Sequence, residues 1–338
     1  MAISKIAKLT LANGENDLRC GVIDKAAGFI YFLCHTYPGK VVKIRLSDFT
    51  VVATLTFAAG EDLPRSAVID SVNGFMYVCC YTGPGKVVKI RLSDFTAVGT
   101  LIFPTDYNNS WSLVVAPSAG YLYAFCYGGS YDVVKISLGT FTVQDYINIA
   151  ALASPFYPTA RIDIVAGFAY CGTYSPVRVV KVGLNPFSEV AAIPPASGAY
   201  SVSAAIDIPN GYYFVGSDEL PGKISRVILS SFLSDTFLTL AVGENDVEAM
   251  CVNPTGKLLY ACCNVAPGKV VRINIATFAR LDVYAMPFGD DLPYTAVIDE
   301  STRNIYVGTN TGPGTVIKLF DGDIIPPGVQ HLPIMGIG

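Results

Sequence analysis

The chain has 338 residues, of which 51% are hydrophobic and only 15% are charged, and its formal net charge is −4. No block of lysine and arginine is present, so we expect no nucleic-acid partner. The apolar runs reach only about seven residues, against the roughly 18 of a membrane-spanning helix, so no transmembrane segment is expected. A low charged fraction is expected of a subunit that packs against other copies. Strands buried on both faces would give the same composition.

The first apolar segment, IAKLTL at residues 6–11, leads into an acidic turn. This start is unlike a secretory signal, and we expect that the chain is not exported by the usual route.

A twelve-residue segment, GKVVKIRLSDFT, occupies residues 39–50 and returns unchanged at residues 85–96. The basic residue of its VVK motif recurs along the chain at spacings of 46, 46, 46, 45, 46 and 46 residues. The seven members of this basic series are Lys43, Lys89, Lys135, Lys181, Arg226, Arg272 and Lys318. Seven copies of one unit therefore cover nearly the whole sequence.

Each copy predicts four short strands. In the second copy they are SAVID at 66–70, GFMYVCCYT at 74–82, KVVKIRL at 86–92 and VGTLIF at 98–103. All four are rich in β-branched and aromatic residues, and turn residues such as the glycines and proline at 83–85 separate them. The unit is therefore a four-stranded meander.

A period of roughly 40 to 50 residues with four strands is typical of a β-propeller blade, and seven blades are a common closed ring. We therefore predict an all-β, seven-bladed propeller with four antiparallel strands per blade. The segments NGFMYV at 73–78 and NIYVGT at 304–309, each followed by a VVKI or VIKL strand, resemble YVTN, NHL and WD40-like propeller repeats. This resemblance spans about 320 residues. It implies a propeller and no particular activity, because such propellers serve as scaffolds, receptors and enzymes.

The two ends of the chain predict how the ring closes. The segment at 6–11 matches an outermost strand such as VATLTF at 52–57, whereas the last copy ends with TVIKLF at 315–320 and lacks an outer strand. We predict that residues 6–11 pair antiparallel with residues 316–320 and leave no open sheet edge there. Residues 1–325 then form one propeller domain.

An apolar tail at 326–338 follows two prolines that stop any strand ladder. A frayed terminus is one interpretation. We favour a docking segment that contacts this protein or a neighbouring copy. Its contact residues would be His331, Leu332, Ile334, Met335 and Ile337.

The loops from each outer strand to the next inner strand, here called linker loops, share one face of a propeller with the loops joining second and third strands. In units one, two, six and seven the linker loops are acidic: GEND at 14–17, GED at 60–62, GEND at 243–246 and GDD at 289–291. In units three to five the two sets of loops carry aromatic residues instead. These candidate binding residues are Tyr107, Trp111, Tyr127, Tyr131, Phe156, Tyr157, Tyr174 and Tyr200. We predict a face that is half acidic and half aromatic.

Each half of this face has two interpretations. Aromatic clusters with polar tips bind ligands or partners, but the same rings also pack loops against blades. The acids could hold Ca²⁺, yet they recur blade by blade and the D-x-D-x-D-G loop is absent, which favours turn capping. We therefore expect neither a metal nor a cofactor.

The basic series is expected to lie between blades, with buried stems and paired charges. The predicted partners are the acids that end the first strands: Asp24, Asp70, Asp163, Asp207 and Asp299. Because these residues are repeated, they indicate structure rather than catalysis.

Residues for enzymatic chemistry are few. Of the two histidines, His35 lies in a loop of unit one and His331 in the tail. No nucleophile elbow, phosphate-binding loop or dinucleotide fingerprint occurs. A pair of acids from two linker loops could act in acid–base catalysis, but no one pair stands out, and we assign no catalytic residue.

The nine cysteines include Cys34, Cys80, Cys126 and Cys263 at equivalent points of different units. Equivalent points of adjacent units are normally too far apart to bridge, so we expect buried, reduced thiols. Reduced thiols favour an intracellular location or an assembled particle, whereas few lysines and many tyrosines also suit an extracellular surface.

Three functions are compatible with these patterns. We favour a non-enzymatic structural or protein-interaction propeller that self-assembles into a particle, filament or surface appendage. A lectin-like propeller that binds carbohydrate or another ligand through the aromatic residues is the first alternative. A hydrolase or lactonase using the acidic loops is the second.

Overall fold

The computed structural model describes residues 3–104, 109–127, 132–149, 159–173 and 177–322. Strands in these ranges form seven antiparallel sheets of four strands each. The first strands of the blades contact one another in succession around a closed ring. The chain is therefore a seven-bladed β-propeller, as its repeat period predicts.

The strands of the first half follow one another as meanders from the inner to the outer edge of each blade. In chain order they are β1 (Ile3–Thr10), β2 (Leu18–Asp24), β3 (Phe29–Cys34), β4 (Lys40–Arg45), β5 (Thr50–Thr56), β6 (Pro64–Asp70), β7 (Phe75–Cys80), β8 (Lys86–Arg91), β9 (Thr96–Ile102), β10 (Ser110–Ala116), β11 (Tyr121–Cys126), β12 (Val133–Ser137) and β13 (Val143–Ile147). A short 3-10 helix, Pro117–Ala119, joins β10 to β11.

The second half repeats the same arrangement. Its strands are β14 (Thr159–Asp163), β15 (Phe168–Thr173), β16 (Arg178–Leu184), β17 (Phe187–Ile193), β18 (Ser201–Asp207), β19 (Tyr212–Ser217), β20 (Lys223–Ile228), β21 (Leu233–Thr239), β22 (Val247–Asn253), β23 (Leu258–Cys263), β24 (Lys269–Asn274), β25 (Ala279–Ala285), β26 (Pro293–Asp299), β27 (Asn304–Thr309) and β28 (Thr315–Asp321). Blades 1 to 7 begin at β2, β6, β10, β14, β18, β22 and β26.

The ring closes through the N-terminal strand. β1 pairs antiparallel with β28, from Ile3 opposite Asp321 to Thr10 opposite Thr315, and becomes the outer strand of blade 7. The predicted closure is confirmed, and the strand begins three residues earlier than the apolar pattern indicated. Two lysines of β1 add ion pairs to the linker loop of blade 7, because Lys5 and Lys8 each place Nζ 2.6 Å from Asp290.

A buried aromatic layer joins neighbouring blades. The second strand of every blade carries a tyrosine that is at most 1% exposed: Tyr31, Tyr77, Tyr123, Tyr170, Tyr213, Tyr260 and Tyr306. Several of these rings contact an aromatic ring of the following blade, as Tyr31 does with Phe95 at 5.7 Å and Tyr77 with Phe141 at 5.9 Å between centroids. Such pairs stabilise a fold beyond the area they bury.

The basic series completes this layer, but its predicted partners are wrong. The ammonium nitrogen of Lys43 lies 4.0 Å from the Phe29 centroid and 5.4 Å from that of Phe95 in the next blade. Lys89 and Lys181 lie over aromatic rings in the same way. A cation over a ring face is attracted by its quadrupole and keeps its alkyl stem buried.

The two arginines of the series do form ion pairs, with acids other than the predicted ones. Arg226 pairs with Asp235 of the outer strand, and Arg272 pairs with Asp282 and with Asp321 of blade 7.

The predicted acid partners instead stabilise the turn after each first strand. Asp24 accepts the backbone N–H of Ala27 at 3.0 Å, and Asp70 accepts that of Asn73 at 3.1 Å. The remaining three acids, Asp163, Asp207 and Asp299, accept equivalent backbone N–H groups. These carboxylates therefore accept hydrogen bonds within local turns, as short acidic side chains commonly do.

The repeated dodecapeptide combines five structural roles, visible in the second copy. The side chain of Lys86 donates to the linker-loop carbonyl of Gly60. The valines and isoleucine that follow are fully buried, and Lys89 joins the aromatic layer. Arg91 and Asp94 form an ion pair across the turn, and Phe95 packs on the preceding blade. Identical roles in adjacent blades explain the identical sequence.

All nine cysteines are free, and all except the half-buried Cys20 are buried, as predicted. Burial raises the pKa of the Cys34 and Cys79 thiols to about 12. Among the described residues, no helix is long and apolar enough to cross a bilayer.

Candidate ligand site at the channel mouth

The acids of the linker loops do not form an open acidic surface. Glu15, Glu61, Glu244 and Asp290 are each less than 10% exposed. Each of the three glutamates accepts the backbone N–H of the residue three positions before it, so the turn-capping interpretation is confirmed for them.

The same acids also bind the outer strand of their own blade. Glu15 accepts the hydroxyl of Thr54 at 2.6 Å, Glu61 that of Thr100, and Glu244 pairs with Arg280. Asp290 fulfils this role with the lysines of β1. The prediction of an acidic half of the face is therefore wrong for these four residues, because their buried carboxylates bind the loop to the blade.

Glu61→Ala is expected to lower the free energy of unfolding by about 1–3 kcal/mol, because the Ala58 N–H and the Thr100 hydroxyl lose their acceptor. Urea unfolding measures the change. Asp62→Ala removes the same charge one residue away and should cost less than about 0.5 kcal/mol. Equal losses in both variants would show that net charge, not the cap, accounts for the effect.

A bulge occurs at the start of six of the described inner strands. The register with the second strand skips one residue there, so that two residues oppose one. The skipped residues are Arg19, Arg65, Trp111, Val202, Glu248 and Tyr294. In five of these blades the residue two positions earlier has a positive φ, as at Asp17 (56°) and Asp246 (54°). Bulges commonly re-aim a side chain next to a functional site.

The bulged side chains meet around the channel. All six line a cavity of about 160 Å³ inside the ring. Five of them, without Arg19, also line a wider mouth of about 420 Å³, together with His35, Tyr81 and Asp218. We call the six bulged residues, together with His35, Tyr81 and Asp218, the mouth site. Unlike the rest of the repeat, its residues differ from blade to blade, which is expected of a single site and not of a repeated structural contact.

Two arginines of the mouth site stack on aromatic rings. The Arg65 guanidinium carbon lies 3.5 Å from the Trp111 centroid, and that of Arg19 lies 3.9 Å from the Tyr294 centroid. Arg19 also pairs with Asp17 at 2.8 Å. Arg65 has no carboxylate partner among the described residues, and its buried Nε makes no hydrogen bond. The Tyr294 hydroxyl lies within hydrogen-bonding reach of Arg65 and Glu248.

The pKa values of the titratable groups at the mouth are displaced. Burial and the nearby Asp246 raise the pKa of Glu248 to about 8, against the opposing effect of Arg19 and Arg65. Burial and the same two arginines lower the pKa of His35 to about 4. At pH 7 Glu248 is therefore mostly protonated and His35 neutral, so the guanidinium groups of Arg19 and Arg65 supply the positive charge of the mouth site. Displaced pKa values in a cleft are typical of functional sites.

Below the mouth, serine and threonine hydroxyl groups form hydrogen bonds between neighbouring inner strands. Ser66 accepts the backbone N–H of Leu113 at 3.1 Å, Ser112 that of Ala160 at 3.1 Å, and Thr295 that of Gly21 at 2.9 Å. Arg161 extends into the same channel. The opposite end, a cavity of about 550 Å³, is lined mainly by valine, isoleucine and alanine. The side chains that line the channel are therefore charged and aromatic at one end and mainly aliphatic at the other.

The predicted aromatic residues are only partly brought together. Trp111 lies at the mouth, with Tyr127 at 5.9 Å and Tyr81 at 5.4 Å between ring centroids. Tyr200 is 45% exposed and lines neither the mouth nor the inner cavity. Tyr107, Tyr131, Phe156, Tyr157 and Tyr174 lie outside the described residues, as do the tail residues His331, Leu332, Ile334, Met335 and Ile337.

The sequence analysis missed the arginines, Tyr294 and Glu248. A signal was available, because the second residue changes between otherwise similar inner strands, as from Arg to Tyr between PRSAVID and PYTAVID. Variation at one position inside a regular repeat indicates a channel-facing residue.

The described residues contain no group of three or more His, Cys, Asp or Glu side chains placed to hold a metal ion. In comparisons with known proteins, no family model matches this chain, and no curated protein matches it significantly. The chain is a seven-bladed β-propeller, a fold that serves widely as a scaffold for binding and protein interaction.

Proposed function

We propose that this chain is a non-enzymatic binding propeller whose channel mouth holds a small ligand. The observation that carries this proposal is the set of six bulges, which direct non-repeated charged and aromatic side chains into one cavity. A concave site with few convergent polar groups between aromatic walls is typical of small-ligand binding.

A binding function fits the side chains better than catalysis does. The linker-loop acids that could have formed an acid–base pair are buried against backbone N–H groups, threonines, arginine and lysines. Glu248 is the carboxyl group that faces the mouth cavity together with Asp218.

A lectin-like function is less well supported. Sugar rings are bound on open aromatic faces, but the guanidinium of Arg65 covers one face of Trp111 at 3.5 Å. The mouth presents stacked cations rather than a bare aromatic platform. We therefore place a small charged or polar ligand, not a glycan chain, at the mouth.

A thermal-shift screen of small organic acids, amines, sugars and neutral aromatics tests the proposal. A ligand that binds only the folded state at 100 times its dissociation constant stabilises by about 2.7 kcal/mol. We expect at least one chemical class to raise the melting temperature of the natural chain and to lose that effect in the double variant Arg65→Gln, Trp111→Ala.

The control is Arg91→Gln, which changes an exposed arginine paired with Asp94, away from the channel. Its ligand response should equal that of the natural chain. A complete absence of shifts, or shifts of equal size in the mouth variant, would refute binding at the mouth.

A structural role in a larger assembly is the second candidate, and the outer strands favour it. β5 (TVVATLT) and β9 (TAVGTLI) contain no charged residue, and they expose Val51, Val52, Val98 and Ile102 by 40–56%. Outer strands normally carry charges that prevent pairing with other chains. We propose that these edges contact a second copy of the chain.

Light scattering on the full chain, and on a chain that ends at Pro327, tests this second proposal. Assembly through the outer strands predicts oligomers in both, and Val52→Lys with Val98→Lys should return both to monomers. If the shortened chain alone is a monomer, the tail is the connector instead. Monomeric full-length chain at micromolar concentration would contradict assembly altogether.

A further inference from the structure

Resting on the proposed binding at the mouth, we propose that the bound group is an anion, a carboxylate or phosphate on a small molecule, held by the guanidinium groups of Arg19 and Arg65. Guanidinium groups bind such oxyanions through paired hydrogen bonds.

The two guanidinium groups at the mouth differ in how many of their N–H donors have partners. Asp17 occupies one side of Arg19 at 2.8 Å, so that cation is largely neutralised. Arg65 contacts the Trp111 and Tyr81 rings and the Tyr294 hydroxyl, with the Glu248 carboxyl group nearby. The buried Nε of Arg65 makes no hydrogen bond within the described residues. A buried donor without an acceptor destabilises the protein unless a ligand or water satisfies it. Arg65 is therefore the primary anion contact.

The aromatic side chains prepare Arg65 for this contact. The guanidinium carbon of Arg65 lies over the Trp111 ring at 3.5 Å, and Tyr81 packs against Trp111 edge-on. Stacking restricts the guanidinium before a ligand binds, so that little side-chain entropy is lost on binding. The rings also offer apolar surface to the rest of the ligand.

The charges around Glu248 make the site pH-dependent. Asp246 precedes it on the same blade, Asp218 lies across the mouth on blade 5, and Arg19, Arg65 and Tyr294 face it from blades 1, 2 and 7. His35, near the two arginines, is neutral at pH 7. A protonated Glu248 puts no negative charge beside a bound anion, whereas an ionised one repels it. Anion affinity should therefore fall as the pH rises through the pKa of Glu248.

The chain's single tryptophan gives a direct readout, because Trp111 is part of the site. Its fluorescence is titrated at pH 7 with benzoate, inorganic phosphate and benzylamine, three probes that separate carboxylate, phosphate and cation. We expect benzoate, phosphate or both to change the emission saturably, and benzylamine to have no effect. Saturation by benzoate alone would identify the ligand as a carboxylate attached to an apolar group. Saturation by phosphate alone would identify it as a phosphate.

Two variants locate and test the contact. Arg65→Gln should weaken anion binding at least tenfold, whereas the control Arg91→Gln should leave it unchanged. Between pH 7 and pH 9 the affinity of the natural chain should fall at least fivefold, and Glu248→Gln should remove most of that dependence while still binding. Gln keeps a donor at this position and cannot ionise.

Three outcomes would overturn the anion assignment. The first is tighter binding of benzylamine than of benzoate, and the second is anion binding that Arg65→Gln leaves unchanged. The third is no response to any anion at 20 mM, which is about 100 times a dissociation constant of 0.2 mM. The proposed function is judged separately by the thermal-shift screen. A cation or sugar that stabilises the natural chain but not the mouth variant would preserve ligand binding and refute only the anion.

Discussion

Tyr77→Ala is expected to lower the free energy of unfolding by about 3–5 kcal/mol, the range for removing a buried aromatic side chain. Tyr77 is 1% exposed and lies between Phe75 of its own blade and Phe141 of the next. Lys89 lies 5.7 Å from its ring centroid, so the variant also removes a cation–π contact. Urea unfolding followed by far-ultraviolet circular dichroism measures the loss.

Tyr77→Phe is the matched control, because it keeps the ring and removes only the hydroxyl group. It should cost less than about 1.5 kcal/mol. The alanine variant should also lose cooperativity between blades 2 and 3, since Tyr77 and Phe141 are one of their shared contacts. A loss below about 1 kcal/mol for Tyr77→Ala would show that the aromatic layer does not stabilise the ring.

Removing residues 1–10 is expected to open the ring. These residues include β1, which covers the edge of β28 and contributes the two lysines that pair with Asp290. Without them blade 7 has three strands, and the exposed β28 edge can pair with other chains. We expect a loss comparable to a large share of the 5–15 kcal/mol that stabilises a typical domain. The shortened chain should unfold at lower temperature and form aggregates.

The complementary experiment supplies a synthetic peptide of residues 3–10 in trans. Restored melting temperature with this peptide, and not with a version in which Leu9 is replaced by proline, would show that strand pairing is responsible. A shortened chain that stays monomeric and keeps its stability would disprove closure by β1.

The fold could be predicted from the sequence because seven copies repeat the same signals. One weak motif such as NIYVGT carries little information, whereas seven copies about 46 residues apart define blades, and the unmatched strands at the two ends define closure. The predicted strand at 6–11 became Ile3–Thr10 because the ladder with β28 extends further than the apolar pattern.

The contacts between blades could not be predicted in the same way. The sequence pattern pairs Lys43 with Asp24, but the ammonium group lies over Phe29 of its own blade and 5.4 Å from the ring centroid of Phe95 in the next blade. Spacing along one repeat does not show which side chains meet across two repeats. The contacts of the linker-loop acids lie within one blade but far apart in the chain. Glu15 and Thr54 are 39 residues apart, and repeat spacing does not show that the loop meets the outer strand.

The mouth site lay at positions where the repeat gives no pattern. Arg65 and Glu248, a base and an acid, occupy equivalent places in two blades, so the position carries no recurring motif. The bulge that turns these side chains toward the channel is a property of strand register, which the sequence does not display.

The central claim is that the mouth residues serve binding and not the fold. Glu248 gives this claim a measurable consequence. An unfolded chain releases the Glu248 proton at the ordinary carboxyl pKa of 4.5, whereas the folded chain keeps it up to about pH 8. Because the unfolded state binds fewer protons over this window, Glu248 lowers the stability of the folded chain as the pH rises through it.

The most direct measurement is therefore the free energy of unfolding at pH 8 of the double variant Arg65→Met, Glu248→Gln. Replacing desolvated charges at a binding site is often neutral or stabilising, by about 1–4 kcal/mol. We predict a stability equal to or higher than that of the natural chain, together with loss of ligand binding. A decrease of more than about 2 kcal/mol would show that these side chains hold the blades together, and would contradict the account.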